Sequence, residues 1–171
     1  VEDPVYSGKR ASRRTAEGLS QHYFTGASQP LRIAAGDVLF TYVYVDSSNP
    51  PQQIMLQWND GSWEHRAYWG ENRIDWGQDG TPSRRSMGAL PAAGQWVRLE
   101  VPVDQVGLKP GAEVHGWAFT QFGGTVHWDR AGIVSRAEQK PVYDSLALWT
   151  RDQRQAGGAG LPPNIRTLVE S

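Results

Sequence analysis

At 171 residues the chain is long enough for one domain around a single hydrophobic core, and 17 Lys+Arg against 18 Asp+Glu leave a formal net charge of -1. That balance lacks the basic surplus with which nucleic-acid binders meet phosphates, and the absence of cysteine removes disulfides, thiolate metal sites, a cysteine nucleophile and haem attachment through C-x-x-C-H. With 8 Trp, 6 Tyr and 19 Gly but only 20% charged residues, the composition favours strands, turns and aromatic surfaces over helical bundles.

Residues 1–30 carry scattered basic groups and short apolar islands at Leu19 and Tyr23-Phe24, which read as an opening strand. Val-Leu-Phe-Thr-Tyr-Val-Tyr-Val at 38–45 is dense in β-branched and aromatic residues and ends in the turn-rich run 46–51, so it reads as a largely buried strand. Ile54 to Trp58 and Trp63 to Trp69 flank Asn59-Asp60-Gly61-Ser62, a hairpin signal because glycine supplies the positive φ of a tight turn. In the second arm, period two places Trp63, His65, Ala67 and Trp69 on one face and Glu64, Arg66 and Tyr68 on the other.

The stretch 70–91 is rich in glycine and charge and reads as long loops around one short strand, the kind of segment that carries function. Trp96 to Val101 alternates cleanly, and Pro102 to Val106 reads as a single helical turn stopped by Gly107. Val114 to Phe122 and Thr125 to Val134 read as the arms of a second hairpin turning at Gly123-Gly124, with His115, Trp117, Phe119 and Gln121 sharing a face. Beyond Arg136, Leu146, Trp149 and Gln153 recur at helical spacing before Gly157-Gly158, and a further short helix is expected near Pro162. No run is apolar enough to span a bilayer, and Val1 opens without a leader pattern, which reads as a mature chain or an excised piece.

The many short strands imply an all-β protein, a jelly-roll β-sandwich over residues 1–136, followed by a short helical extension or linker at 137–171. Within it, sugar binding is the expected chemistry. A sugar ring offers apolar C–H faces and a rim of hydroxyls, so its binders combine flat aromatic platforms with fixed polar groups. Trp69, Trp76, Tyr68 and Trp63 supply the first, and His65, Arg66, Asn72 and Gln57 the second, whereas Trp58, Trp96 and Trp117 sit in apolar strands and belong to the core. Asp37, Asp46 and Asp129 fall at strand ends, where carboxylates either cap turns or join carbonyls around a structural calcium. The four histidines lack zinc spacing, no spacing singles out a glycosidase carboxylate pair, and nucleophile-elbow and nucleotide motifs are missing, so the reading is non-enzymatic.

The blocks Leu56-Gln-Trp-Asn-Asp-Gly-Ser-Trp-Glu-His-Arg-Ala-Tyr-Trp-Gly70, Gly94-Gln-Trp-Val-Arg-Leu-Glu-Val101 and Gly116-Trp-Ala-Phe-Thr-Gln-Phe-Gly-Gly-Thr-Val-His-Trp-Asp-Arg-Ala-Gly132 make residues 10–134 resemble a carbohydrate-binding-module-like domain. That domain occurs in large planctomycete proteins that also contain c-type cytochrome domains and planctomycete-specific domains of unknown function. The resemblance implies an exported, periplasmic or cell-surface polypeptide, glycan binding beside a redox module, and calcium with Asp129 as its first nominee; any haem lies outside this chain. The expectation is a non-catalytic module that holds its neighbours near a polysaccharide. The alternative is a structural or protein-interaction module packing on neighbouring domains of the same polypeptide.

Overall fold

The computed structural model describes residues 4–135; the expected helices at 137–171 lie outside them. In chain order the strands are β1 (Ser12–Phe24), β2 (Leu31–Arg32), β3 (Val38–Val45), β4 (Gln53–Asn59), β5 (His65–Gly70), β6 (Arg85–Ser86), β7 (Trp96–Pro102), β8 (Glu113–Val114) and β9 (Gly116–Val134). The turn expected before Gly107 is the 3-10 helix Val103–Val106, stopped by that glycine at φ 74°. No helix among the described residues is long and apolar enough to cross a membrane.

The fold is nearly all β, as the composition implies. Seven strands form one curled sheet in the order β6-β5-β4-β9-β3-β7 with β1 also on β9, and β2 pairs β8 in a separate ribbon. The long strand β9 organises the sheet. Its first part, Gly116 to Phe122, pairs with β4, and its last part, Val126 to Val134, pairs with β3. Because β1 lies along Trp117 to Trp128 and overlaps both, β4 and β3 must follow one another along the opposite edge.

Between those two partners sit Gly123 and Gly124, at φ 70° and 69°. The expected second hairpin is therefore a single bent strand. A pair of positive-φ glycines serves a reversing turn, but here the same freedom kinks the strand without reversing it. Two neighbours demand this: a Cβ at Gly124 would overlap the backbone of Pro50 and Pro51, and the buried Gln121 amide donates to the carbonyls of Gly123 and Gly124 at 3.0 and 2.8 Å. The kink also shifts the alternation. Trp117 and Phe119 face the core before it, Val126 and Trp128 after it, and β1 answers with its own register shift between Ala16 and Leu19.

The core lies on the inner side of the curl, where Leu39, Val43, Leu56, Trp58, Leu99 and Val101 pack together. Trp58 and Trp117 are core residues as expected, their rings 5.4 Å apart across β4 and β9. Trp96 departs from expectation. It is only half-buried, at the end of β7, with its ring near those of Tyr6 and Tyr44.

Candidate functional site

The hairpin read from Asp60-Gly61 exists: β4 and β5 pair antiparallel from Gln53↔Gly70 to Trp58↔His65. Its inner face carries Ile54, Leu56, Trp58, Ala67 and Trp69 into the core. Strand alternation then turns Met55, Gln57, Arg66 and Tyr68 outward. Registers with β9 and β1 extend that outer face into two rows. One runs Tyr23, Ala118, Gln57, Arg66 and the other Gln21, Thr120, Met55, Tyr68.

The loop 71–84 crosses this face and is tied down by buried groups. Gln53 Oε1 accepts the N–H groups of Arg73 and Ile74 at 2.6 and 2.8 Å, and Ile74 packs on Met55 and Tyr68. The Tyr68 hydroxyl donates to Asp79, and burial raises its pKa above the ordinary phenol value. Arg84 Nη1 donates to the Ile74 carbonyl. Trp76 stands half-buried on the cluster of Met55, Tyr68 and Ile74. Gly77 beside it, at φ 75°, leaves room that a Cβ would take from the Ser83 carbonyl and Arg66 Nη1.

Between the loop, the hairpin turn and β1 opens a cleft of about 400 Å³ lined by Gln21, Tyr23, Gln57, Trp63, Arg66 and Trp76. Three rings form its walls. Tyr23 is 61% exposed and meets Trp63 edge to face at 5.9 Å, while Gly116, lacking a Cβ, lets Trp63 settle against β9. Gln57 and Arg66, 2% and 6% exposed, form a fixed polar floor. Arg66 Nε donates to Gln57 Oε1 at 2.9 Å, Nη1 to the Ser83 carbonyl at 2.9 Å, and the two Nη atoms to the two oxygens of Glu64 at 3.2 and 3.1 Å. Those bonds hold the Glu64 carboxyl below the usual glutamate pKa. Gln57 and Gln21 both donate to Thr120 Oγ1.

Two other hollows lack this combination. A broader one of about 550 Å³ beside Pro50, Pro51 and Leu90 has no aromatic ring, and one of about 240 Å³ beside Phe24, Leu31, Val114 and Trp117 has no charged group.

Of the expected sugar-binding residues, Trp63, Trp76, Arg66 and Gln57 line the cleft together. Tyr68 lies buried beneath Trp76 and acts as support. Trp69 is 7% exposed and packs in the core, on the face opposite the cleft. His65 is on that inner face as well, bridging the Val106 carbonyl at 2.6 Å and the Asp60 carboxylate at 3.1 Å. Asn72 is exposed and outside the lining. Gln21 and Tyr23, absent from the expected set, are supplied by β1 across more than 90 residues of chain.

The two calcium nominees, Asp129 and Asp37, lie apart on the sheet. Asp37 pairs its neighbourhood with the Val134 end of β9 while Asp129 pairs with Tyr42, which separates them by about five residues of strand, roughly 16 Å. Asp129 Oδ2 accepts the N–H groups of Tyr6 and Ser7 at 3.0 Å, and Asp37 Oδ2 that of Ala34 at 2.7 Å. Asp46 caps its own turn through Ser48 and Asn49. Among the described residues no group of three His, Cys, Asp or Glu side chains is placed to hold a metal ion, and the bonds of Asp46 are those of a turn cap.

Comparison with protein families, with curated proteins and with solved structures finds no match for this chain.

Proposed function

We propose that this chain is a non-catalytic carbohydrate-binding module whose site is the cleft of Tyr23, Trp63 and Trp76 over Gln21, Gln57 and Arg66. The observation that carries the reading is the union of three partly exposed rings with a floor of hydrogen-bonded amides and a guanidinium, held by a hairpin and a pinned loop. Rings receive the C–H faces of a sugar and the remaining N–H groups its hydroxyls. Preorganisation of that kind lowers the ordering cost of binding. The resemblance to modules of planctomycete cytochrome-containing proteins supports the same reading, and with it an exported polypeptide that keeps neighbouring domains near a polysaccharide. On that reading the curled sheet is the jelly-roll-like scaffold.

A binding role is favoured over hydrolysis by the cleft's own chemistry. None of its six lining side chains is a carboxylate, and Glu64 beside them has both oxygens engaged by Arg66, whereas glycoside hydrolysis uses two carboxyl groups across the bond. The test is binding of the protein to an array of glycans, repeated with Trp76→Ala: a saturable interaction lost in the variant supports the site, and indifference to the variant removes it.

A second reading, packing on a neighbouring domain, is favoured by one feature. The edge strand β1 exposes Leu19, Tyr23 and Phe24 to at least half their surface, and apolar side chains on an edge strand suit association.

A further inference from the structure

We infer that the cleft selects uncharged saccharides and that Glu64 is the residue that sets this selectivity. The inference rests on the carbohydrate reading and narrows it. Arg66 is the one charged side chain in the lining, and a guanidinium beside aromatic rings is ordinarily the group that recruits uronate, sulfate or phosphate. Here its fork is already filled. Nη1 and Nη2 face the two oxygens of Glu64 in the paired geometry that an incoming carboxylate would need. Nε and the second Nη1 hydrogen go to Gln57 and Ser83, so one Nη2 hydrogen of the five remains.

That single N–H suits a hydroxyl oxygen. An anion approaching it would meet the Glu64 carboxylate at close range, and like charges brought together select against the wrong partner. Glu64 can hold this position cheaply because it sits two residues from Arg66 on the same outward face of the hairpin, with its side chain 59% exposed to water. The remaining capacity of the cleft is also neutral: indole N–H groups of Trp63 and Trp76, the Tyr23 hydroxyl and the amides of Gln21 and Gln57. Nothing in that set compensates a charge. Arg66 is thus a structural cation that orients Gln57 and pins the loop, and its field is cancelled within the protein.

The experiment is affinity electrophoresis of the full chain through gels containing galactomannan, hydroxyethylcellulose, dextran, polygalacturonate or alginate, for the native protein, Glu64→Gln and Trp76→Ala, at low and moderate salt. The expected result is retardation by at least one neutral polymer at about tenfold or lower concentration than by either polyuronate, with little salt dependence. Glu64→Gln should gain retardation by polyuronate that salt abolishes, and Trp76→Ala should lose retardation by the neutral polymer. Native protein retarded as strongly by polyuronate as by neutral polymers overturns the selectivity while the carbohydrate reading stands. Glu64→Gln that gains no polyuronate binding overturns the role of Glu64. Retardation by none of the five polymers, followed by silence on an array of neutral and acidic glycans, overturns the carbohydrate reading itself.

Discussion

Replacing Arg66 by lysine keeps the charge and removes only the fork, which isolates what the guanidinium does. In the native chain its nitrogens reach three separate acceptors, Gln57 Oε1, the Ser83 carbonyl and the Glu64 carboxylate. A lysine ammonium is a point donor on a flexible stem and can serve one of the two inner acceptors at a time. The abandoned one is the buried Gln57 amide oxygen or the partly buried Ser83 carbonyl of the loop, and an unsatisfied buried acceptor costs about 1–3 kcal/mol. Lost packing of the planar group against Gly77 adds to it, for a total of about 2–4 kcal/mol; the contribution of exposed Glu64 is screened and small. With a urea m-value of about 2 kcal/mol/M, within the usual range of about 1–3, the unfolding midpoint should fall by about 1–2 M. Equilibrium urea unfolding followed by tryptophan fluorescence measures this. A loss below about 0.5 kcal/mol would refute the claim that Arg66 ties the loop to the hairpin.

Two tryptophans of the expected sugar platform should separate cleanly. Trp69→Ala is expected to cost about 3–5 kcal/mol as a core deletion, while Trp76→Ala costs less than about 2 kcal/mol and keeps the fold, as thermal unfolding and circular dichroism will show. Arg130, at φ 46° where β9 shifts register against β3, is the non-glycine residue with positive φ among those described. Arg130→Gly relieves a left-handed cost of about 1–2 kcal/mol against a glycine entropy penalty of about 0.5–1 kcal/mol, so a small gain in melting temperature is expected, and a loss would contradict it. The Glu64 carboxyl has a lowered pKa through Arg66, so its contribution to stability is complete above the ordinary value of 4.5 and is lost as pH falls below it through the folded value. The difference in stability between native protein and Glu64→Gln should therefore be flat from about pH 6 to 8 and shrink as pH falls below 4.5, measured by denaturant titration at successively lower pH.

Much of the framework is readable in the chain because local rules act there without competition. The Asp60-Gly61 turn, the dense run 38–45 and the alternation of Val97, Leu99 and Val101 each point to the strand that forms. Alternation also divides the second hairpin arm correctly, Ala67 and Trp69 against Arg66 and Tyr68, but it does not say which face is inward. That ambiguity is why Trp69, a core residue, stood among the expected platform rings. Its pairing with Ile54, and that of Ala67 with Leu56, marks the core face, and those pairings are legible only once the hairpin register is fixed. Gly123-Gly124 misleads for a different reason: a turn and a bend use the same positive φ, and the approach of Pro50 and Pro51 that decides between them is remote in sequence. Gln21 and Tyr23 were hidden because β1 carries a register shift between Ala16 and Leu19 that breaks its alternation, and because its pairing with β9 spans most of the chain.

The central claim is that the cleft between β1, the hairpin and the loop 71–84 binds sugar. Isothermal titration of the protein with a glycan selected from an array, for native protein and for Trp76→Ala with its fold verified, tests it most directly. The account predicts saturable binding to the native protein and at least a tenfold loss in the variant, about 1.4 kcal/mol or more, for removing one aromatic wall. Equal affinity in the two proteins, or no binding to any glycan on a broad array, would contradict it.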